Sequence, residues 1–414
     1  MSPMFLLPNE LIENIALRCS DTRNLRLVNR RVYEAVEHVL WNNGKVKLYI
    51  DEKGLREENL QMLEDLKNGC KGTGSIRMLH LISPYSFALD RVRLLHSNLL
   101  PSAIQAMESL RSVEWKIRWK SRDPALPLAE TTVFRSLASL SSIRELTLDC
   151  RTIPSFPVDV LHFGNLETLI IRGEPTAHDV LLSSLSKILA RNPKISYLEL
   201  IWAHVIQPMK PAVLPFSTLF QPPLPHLLPL HTLNLSRWIF DFVHANVIPH
   251  LRSLRSLSLY LCEYEDQTLP KALAMQQVSL RRIRVQSVSG ELFDYLESIV
   301  GLEELSLSEF EDPSESQQLS QGFHDSVLPR HRHTLRVLCV EPLISSPDWA
   351  IGYHNIRILD SCAGLAQLTV GLYFEDVHDH AKRKDLLVST LHFLSFVVAT
   401  YMPPYPWRPR LFSM

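Results

Sequence analysis

Apolar residues in this chain recur in a fixed short phrase. The clearest copy is Leu254-Arg-Ser-Leu257-Ser-Leu259-Tyr-Leu-Cys262, an apolar lead-in followed by two more apolar positions. Leu257 and Leu259 are two apart, so on a strand they share one face, while Ser256, Ser258 and Tyr260 take the other. One such strand cannot bury its apolar side alone, but a stack of them can. The phrase returns at Ile76-Leu79-Leu81, Leu110-Val113-Trp115, Ile143-Leu146-Leu148, Leu166-Leu169-Ile171 and Ile195-Leu198-Leu200. It continues at Leu230-Leu233-Leu235, Leu280-Ile283-Val285, Leu302-Leu305-Leu307, Leu335-Leu338-Val340 and Leu365-Leu368-Val370. That makes about eleven copies, roughly 22 to 35 residues apart.

Between the copies the period changes from two to that of a helix. Thr176 is placed to cap a helix over 177–190, with Val180, Leu181, Leu185, Ile188 and Leu189 inward and Asn192-Pro193 as its stop. A second helix is expected over 291–300, through Leu292, Leu296 and Ile299. A strand and a helix in each unit, repeated at this spacing, is the pattern of a leucine-rich repeat. The fold class is therefore α/β: a curved solenoid over residues 76–385 with parallel strands on its concave face. Residues 386–402 read as a terminal capping helix and 403–414 as a flexible tail. The apolar run over 386–401 is interrupted by Ser389, Thr390, His392, Ser395 and Thr400 and falls short of the roughly 20 residues of a membrane span.

Three stretches depart from the rhythm. Prolines 208, 211, 215, 222, 223, 225 and 229 exclude a helix from most of 203–230, which reads as a loop insertion or cover. The acidic stretch 308–316 reads as a solvated loop. Residues 51–70 read as a charged helix with Leu55, Leu60, Leu63 and Leu66 inward, the core of a helical adapter spanning 49–75. The turn Gly69-Cys-Lys-Gly-Thr-Gly74-Ser75 fails as a phosphate loop, since Ser75 stands where the lysine belongs.

Composition narrows the function. Across 414 residues the formal net charge is -1, which gives no electrostatic reason to expect nucleic acid or an anionic membrane as partner. The six cysteines show no paired spacing and read as buried thiols of a reducing compartment. Met4-Phe-Leu-Leu7 is too short for a secretory signal, so a cytoplasmic or nuclear location is expected. No nucleophile elbow, His-Glu-x-x-His or Cys-x-x-Cys motif occurs. His331-Arg-His333 and His378-Asp-His380 with Asp376 carry metal-type atoms but read as solvated side chains. Asn234-Leu-Ser236 matches a glycosylation sequon, yet it lies within a repeat strand. A non-catalytic protein without metal or cofactor is expected.

The first 48 residues read as a helical module. Leu7, Leu11 and Ile15 form one stripe, with Pro8 at a helix start and Glu10 in the first turn. Leu25, Val28, Val32 and Val36 form a second stripe. Two apolar faces exceed what two short helices hide from each other, so one is left for a partner. The string Leu7-Pro8, Glu10-Leu11, Ile15, Leu25-Arg26-Leu27-Val28-Asn29-Arg30-Arg31 and Leu40-Trp41 resembles an F-box. It departs from that family at Asn29 and Val32-Tyr33, where Cys and Trp are frequent. An F-box followed by leucine-rich repeats is what substrate receptors of SCF-type ubiquitin ligases look like. The resemblance implies a three-helix module that binds the Skp adaptor, and through it the cullin scaffold, by Leu7, Pro8, Leu11, Ile15, Leu25, Leu27, Val28, Leu40 and Trp41. The repeats would hold the target protein. The same N-terminal helices also suit a plain solenoid cap, which leaves a scaffold or inhibitor-like binding protein as the alternative.

Residues alternating with the inward leucines face the concave surface. Aromatic and arginine side chains there are candidate anchors for a target. The candidates are Tyr197, Tyr260, Arg282 and Arg284 on four central strands, with Trp202 and Trp238 at one rim beside the proline-rich insertion. Arg282 and Arg284 are two apart on one strand face and can reach one acidic or phosphorylated group, unless Glu304 on the next strand neutralises them.

Overall fold

In a computed structural model of the chain the described residues are 11, 45–51, 54–55, 57–69, 73–82, 99–117, 126–153, 162–175, 178–202, 214–221, 223–240, 246–264, 268–310, 313–340, 349–350 and 356–370. They fall into two compact units, Met1–Ser253 and Leu254–Met414.

In the first unit the strands are β1 Lys45–Asp51, β2 Gly54–Leu55, β3 Met78–Ile82, β4 Ser112–Ile117, β5 Glu145–Ile153, β6 Thr168–Pro175, β7 Tyr197–Trp202, β8 Leu214–Pro215, β9 Thr232–Ser236 and β10 Trp238–Phe240. Its α-helices are α1 Glu57–Lys67, α2 Leu100–Gln105, α3 Leu126–Ala138 and α4 His178–Arg191. Strands β1, β3, β4, β5, β6, β7 and β9 pair in that order, all parallel, and β2 folds back antiparallel on β1. The apolar positions line up without slippage: Leu79, Val113, Leu146, Leu169, Leu198 and Leu233 form one buried row. Leu81, Trp115, Leu148, Ile171, Leu200 and Leu235 form the next. A one-residue slip would turn both rows to solvent, so burial holds the register.

The second unit carries β11 Ser256–Tyr260, β12 Glu263–Tyr264, β13 Arg282–Val288, β14 Glu304–Phe310, β15 Val337–Val340 and β16 Gln367–Val370. Its α-helices are α5 Thr268–Met275, α6 Gly290–Ser298, α7 Pro313–Gly322, α8 Leu328–His331 and α9 Ile356–Asp360. Strands β11, β13, β14, β15 and β16 pair in parallel, with Leu257, Ile283, Leu305, Leu338 and Leu368 as one buried row. Strands β13 to β16 enter the sheet by the same device. The N–H groups of Arg281 and Arg282 both reach the Arg255 carbonyl, at 2.8 and 3.0 Å, and the step repeats at the carbonyls of Arg281, Glu303 and Arg336. In the first unit it repeats at Arg77, Arg111, Arg144, Glu167 and Ser196. All eleven expected strands form.

Several expectations change. Residues 51–70 are not one helix: Asp51 ends β1, Gly54 and Leu55 form β2, and α1 begins only at Glu57. Leu63 and Leu66 are buried on α1 as expected. The boundary drawn at 48/49 falls inside β1, whose Val46 and Leu48 pair with Leu79 and Leu81 as one further repeat strand. Residues 308–316 are not a loop, because β14 runs to Phe310 and Pro313 opens α7, where its missing N–H costs nothing. Helix α6 starts at Gly290 and is capped by Ser289, whose Oγ accepts the Leu292 N–H at 3.4 Å. Buried Asn192 ends the turn after α4: its side chain accepts from Leu166 N at 2.7 Å and donates to the Phe163 and Ile188 carbonyls. The expected capping helix over 386–402 and the tail over 403–414 lie outside the described residues. Among the described residues, no helix is long and apolar enough to cross a membrane.

The described part of the proline-rich stretch, 214–221 and 223–230, packs into the first unit. Strand β8 pairs with β10, and a 3-10 turn Phe216–Phe220 buries Phe216, Leu219 and Phe220.

A candidate protein-binding face

Side chains opposite the buried leucine rows stand on the other face of each sheet. In the first unit several of these positions bind one another. Glu199 is 5% exposed on β7. Its Oε1 accepts from Arg172 Nε and Nη2, both at 2.7 Å, and its Oε2 accepts from Tyr197 Oη at 2.8 Å and Asn234 Nδ2 at 3.0 Å. Register explains the cluster: Glu199 lies opposite Ile170 and Asn234, and Arg172 opposite Ile201, so three adjacent strands supply the four groups. Burial alone would raise the Glu199 carboxyl, but the hydrogen bonds from Asn234, Tyr197 and Arg172 and the Arg172 charge outweigh it and hold it below the usual carboxylate range. Burial first, and then the hydrogen bond and charge of Glu199, push the Tyr197 phenol up to about 12. Two strands away on this face, Glu114 sits 3.1 Å from Lys116 Nζ and 3.6 Å from His80 Nε2.

The second unit differs. Ser256, Arg282 and Glu304 form one row, and Ser258, Arg284, Ser306, Cys339 and Thr369 form the next. Arg282 Nε lies 3.6 Å from Glu304 Oε1, with 57% and 45% of the two side chains exposed, so this is a solvated pair. One position before the strands, Arg281 pairs with Glu303 at 3.1 Å. Arg284 is exposed, and no ion pair or side-chain hydrogen bond engages it among the described residues. Tyr260 is 54% exposed. Next to it, Gln286 turns its Oε1 to the Leu261 N–H at 2.6 Å and steadies a turn in which Leu261 has φ 51.

Of the six residues expected to meet a target, Tyr260, Arg282 and Arg284 lie on this open face, and Tyr197 is half-buried in the Glu199 cluster. Trp202 and Trp238 are corrected: they are core residues, 4% and 0% exposed. Strand β7 runs on to Trp202, and its alternation turns Leu198, Leu200 and Trp202 to one side. The two indoles meet at 5.2 Å, and Phe216 stands edge-on to Trp238 at 6.0 Å. The Trp238 N–H donates to the Leu200 carbonyl at 3.2 Å.

His331, read as solvated, is also a core residue: it is 1% exposed and its Nε2 lies 2.9 Å from the Leu296 carbonyl. Burial lowers its basicity first, and the Arg330 charge adds to that. His378 and His380 lie outside the described residues. Among the described residues, no group of three or more His, Cys, Asp or Glu could hold a metal. Of the adaptor residues, Leu11 is helical and 48% exposed; Leu7, Pro8, Ile15, Leu25, Leu27, Val28, Leu40 and Trp41 lie outside the described residues. The open row around Arg284 was visible in sequence as a pair of arginines, but the hydroxyls that flank it needed the register.

No protein-family model matches the chain, and no curated protein matches it. Among solved structures it is similar to an internalin, InlF, from Listeria monocytogenes, at 10% identity and TM-score 0.36, over 97% of this chain and 100% of that one. It is also similar to a leucine-rich-repeat protein of Leptospira interrogans, at 13% identity and TM-score 0.33, over 89% and 92%. A Toll-like receptor, TLR13, in a complex with single-stranded RNA is similar at 13% identity and TM-score 0.28, over 72% and 48%. Likenesses this low carry no argument. The repeat architecture rests on this chain's own strand register and spacing, which are those of stacked strand-and-helix leucine-rich units.

Proposed function

We propose that the chain is a protein-binding repeat scaffold that holds a target on the strand face of its central repeats. The observation that carries this is the open polar face of the second unit, where Tyr260, Arg282 and Arg284 stand exposed on a rigid sheet. Rigid presentation of aromatic and arginine side chains lowers the entropic cost of binding. Photoreactive side chains placed at Ser258 and at Thr147 test this. Target capture from Ser258 is expected to exceed that from Thr147; equal or greater capture from Thr147 removes the docking assignment.

We further propose that residues 1–48 dock a Skp adaptor, making the chain the substrate receptor of an SCF-type ubiquitin ligase. Support comes from the string Leu7-Pro8 to Leu40-Trp41 and from Leu11, a helical leucine with about half its surface in solvent. Chemistry would then belong to other subunits, and this chain would fix distance and orientation. The double variant Leu7→Ala, Pro8→Ala is expected to weaken adaptor binding at least about 30-fold, as loss of a central apolar anchor does. Unchanged adaptor affinity would remove the ligase reading. A specific observation favours the second reading, a scaffold with no ligase link. Strand β1 joins the repeat sheet at Lys45, four residues after Trp41, which is where a simple cap would hand over to its stack. Co-purification without adaptor or cullin is the result expected of that reading.

A further inference from the structure

The charges on the strand faces mostly close on one another. Glu199 has its acceptor positions filled by Arg172, Tyr197 and Asn234, and Glu114 has Lys116 and His80. Arg281 and Arg282 have Glu303 and Glu304. Arg284, by contrast, is a cation with no ion pair or side-chain hydrogen bond among the described residues. Its neighbours Ile283 and Val285 are buried, which sends the Arg284 side chain to the open face. Register sets Ser258 on one side of it and Ser306 on the other. Adjacent strands are about 4.8 Å apart, so two hydroxyls flank the arginine stem at that spacing. Neither hydroxyl makes a hydrogen bond among the described residues. The row continues through Cys339 and Thr369 and holds no carboxylate.

We propose that Ser258, Arg284 and Ser306 form a receptor for a phosphorylated serine or threonine of the partner protein. This inference rests on the reading of this face as the docking surface. A phosphomonoester carries a charge of about −1.5 to −2 and three strong acceptor oxygens. The guanidinium fork can take two of those oxygens and the hydroxyls can donate to the remainder. A carboxylate can accept as many hydrogen bonds, as Glu199 does, but it carries a single negative charge and a flat pair of oxygens, so the phosphomonoester gains more from the cations of this face. Arg282, about 7 Å along the same strand face, adds a second cation that Glu304 only partly neutralises. A nucleic-acid backbone fits poorly, because it needs a track of open cations and this row has one.

The test uses the full chain, immobilised, and degenerate nonapeptide libraries that carry phosphoserine or phosphothreonine, unmodified serine or threonine, or glutamate at the centre. Retention of the phosphorylated library at least about 10-fold above the other two is expected. Arg284→Ala should bring it down to the unmodified level, and Ser258→Ala with Ser306→Ala should lower it about threefold. Arg284→Lys should recover only part, since an ammonium offers no fork. All four side-chain changes lie on the solvent side of the sheet, and an unchanged thermal melt verifies that each variant is folded. Equal retention of the unmodified library overturns the proposal, as does equal retention of the glutamate library. Undiminished binding by Arg284→Ala overturns it, and so does displacement of the peptides by a single-stranded RNA 20-mer at equal concentration. Crosslinking from Ser256, on the same strand face but outside the proposed receptor, separates the two levels of the argument. Capture there without a phosphate preference removes the phosphate site alone, while preferential capture from Thr147 removes the docking face.

Discussion

Trp238→Ala is expected to destabilise the first unit by about 4 kcal/mol, the range found for emptying a buried indole site. Trp238 is fully buried and lies between Trp202 and Phe216. Alanine leaves a cavity that these rings cannot refill, because Phe216 is held in the turn whose Thr218 hydroxyl donates to the Pro215 carbonyl at 2.6 Å. It also removes the hydrogen bond to the Leu200 carbonyl. Trp238→Phe keeps part of the volume and should lose about 2 kcal/mol. Tyr260→Ala, on the open face, should stay within about 0.5 kcal/mol. Urea melts followed by circular dichroism measure all three. If Trp238→Ala melts within about 1 kcal/mol of the parent yet loses the target, the tryptophan belongs to a surface and the packing described for the proline-rich segment is wrong.

The repeat strands were legible in the sequence because two rules coincide there. Period two selects the strand face, and the apolar lead-in three residues earlier marks where each strand enters the sheet. Strand β1 escaped because Asn43 occupies the lead-in position before Val46 and Leu48, which leaves only a short alternation. Prolines hid the packing of 214–221. They exclude a helix, but they do not prevent Phe216 and Phe220 from reaching inward out of a 3-10 turn. The acidic stretch after Ser308 read as loop by composition, although Pro313 is well suited to open a helix. Trp202 was within reach of the alternation rule: it is two residues past Leu200 and therefore inward. The candidate site was less legible. Which polar residues of a strand face satisfy one another depends on neighbours some 25 residues away, and only the register brings Arg172, Glu199 and Asn234 together while leaving Arg284 open.

The Glu199 cluster supplies the other large expected effect, and it carries a pH signature. Glu199→Gln keeps the volume but sets an amide N–H₂ against groups that are themselves donors, either the Arg172 guanidinium or Tyr197 and Asn234. A loss of about 2 kcal/mol at pH 7 is expected, the scale of a mispaired hydrogen bond to a charged group, moderated because Arg172 is 43% exposed and can return to water. Glu199→Leu should lose at least as much as Glu199→Gln, since it leaves the Tyr197, Asn234 and Arg172 donors with no acceptor at all. The carboxyl of Glu199 titrates below its unfolded value of about 4.3, so the unfolded state binds more protons in that window and stability falls as pH falls. The gap between parent and Glu199→Gln should therefore be full above about pH 5 and shrink on acidification through the depressed native value. Tyr197 acts in the opposite sense. Its phenol titrates at about 12 when folded, above the ordinary value near 10, so its contribution is full below pH 10 and is lost as pH rises through the folded value. Tyr197→Phe should remove that alkaline slope and cost about 1 kcal/mol at neutral pH. Denaturant melts of the parent and the three variants from pH 3 to pH 10.5 decide the matter. A gap between parent and Glu199→Gln that stays constant down to pH 3 would mean that the buried carboxyl is not held ionised by Arg172, Tyr197 and Asn234.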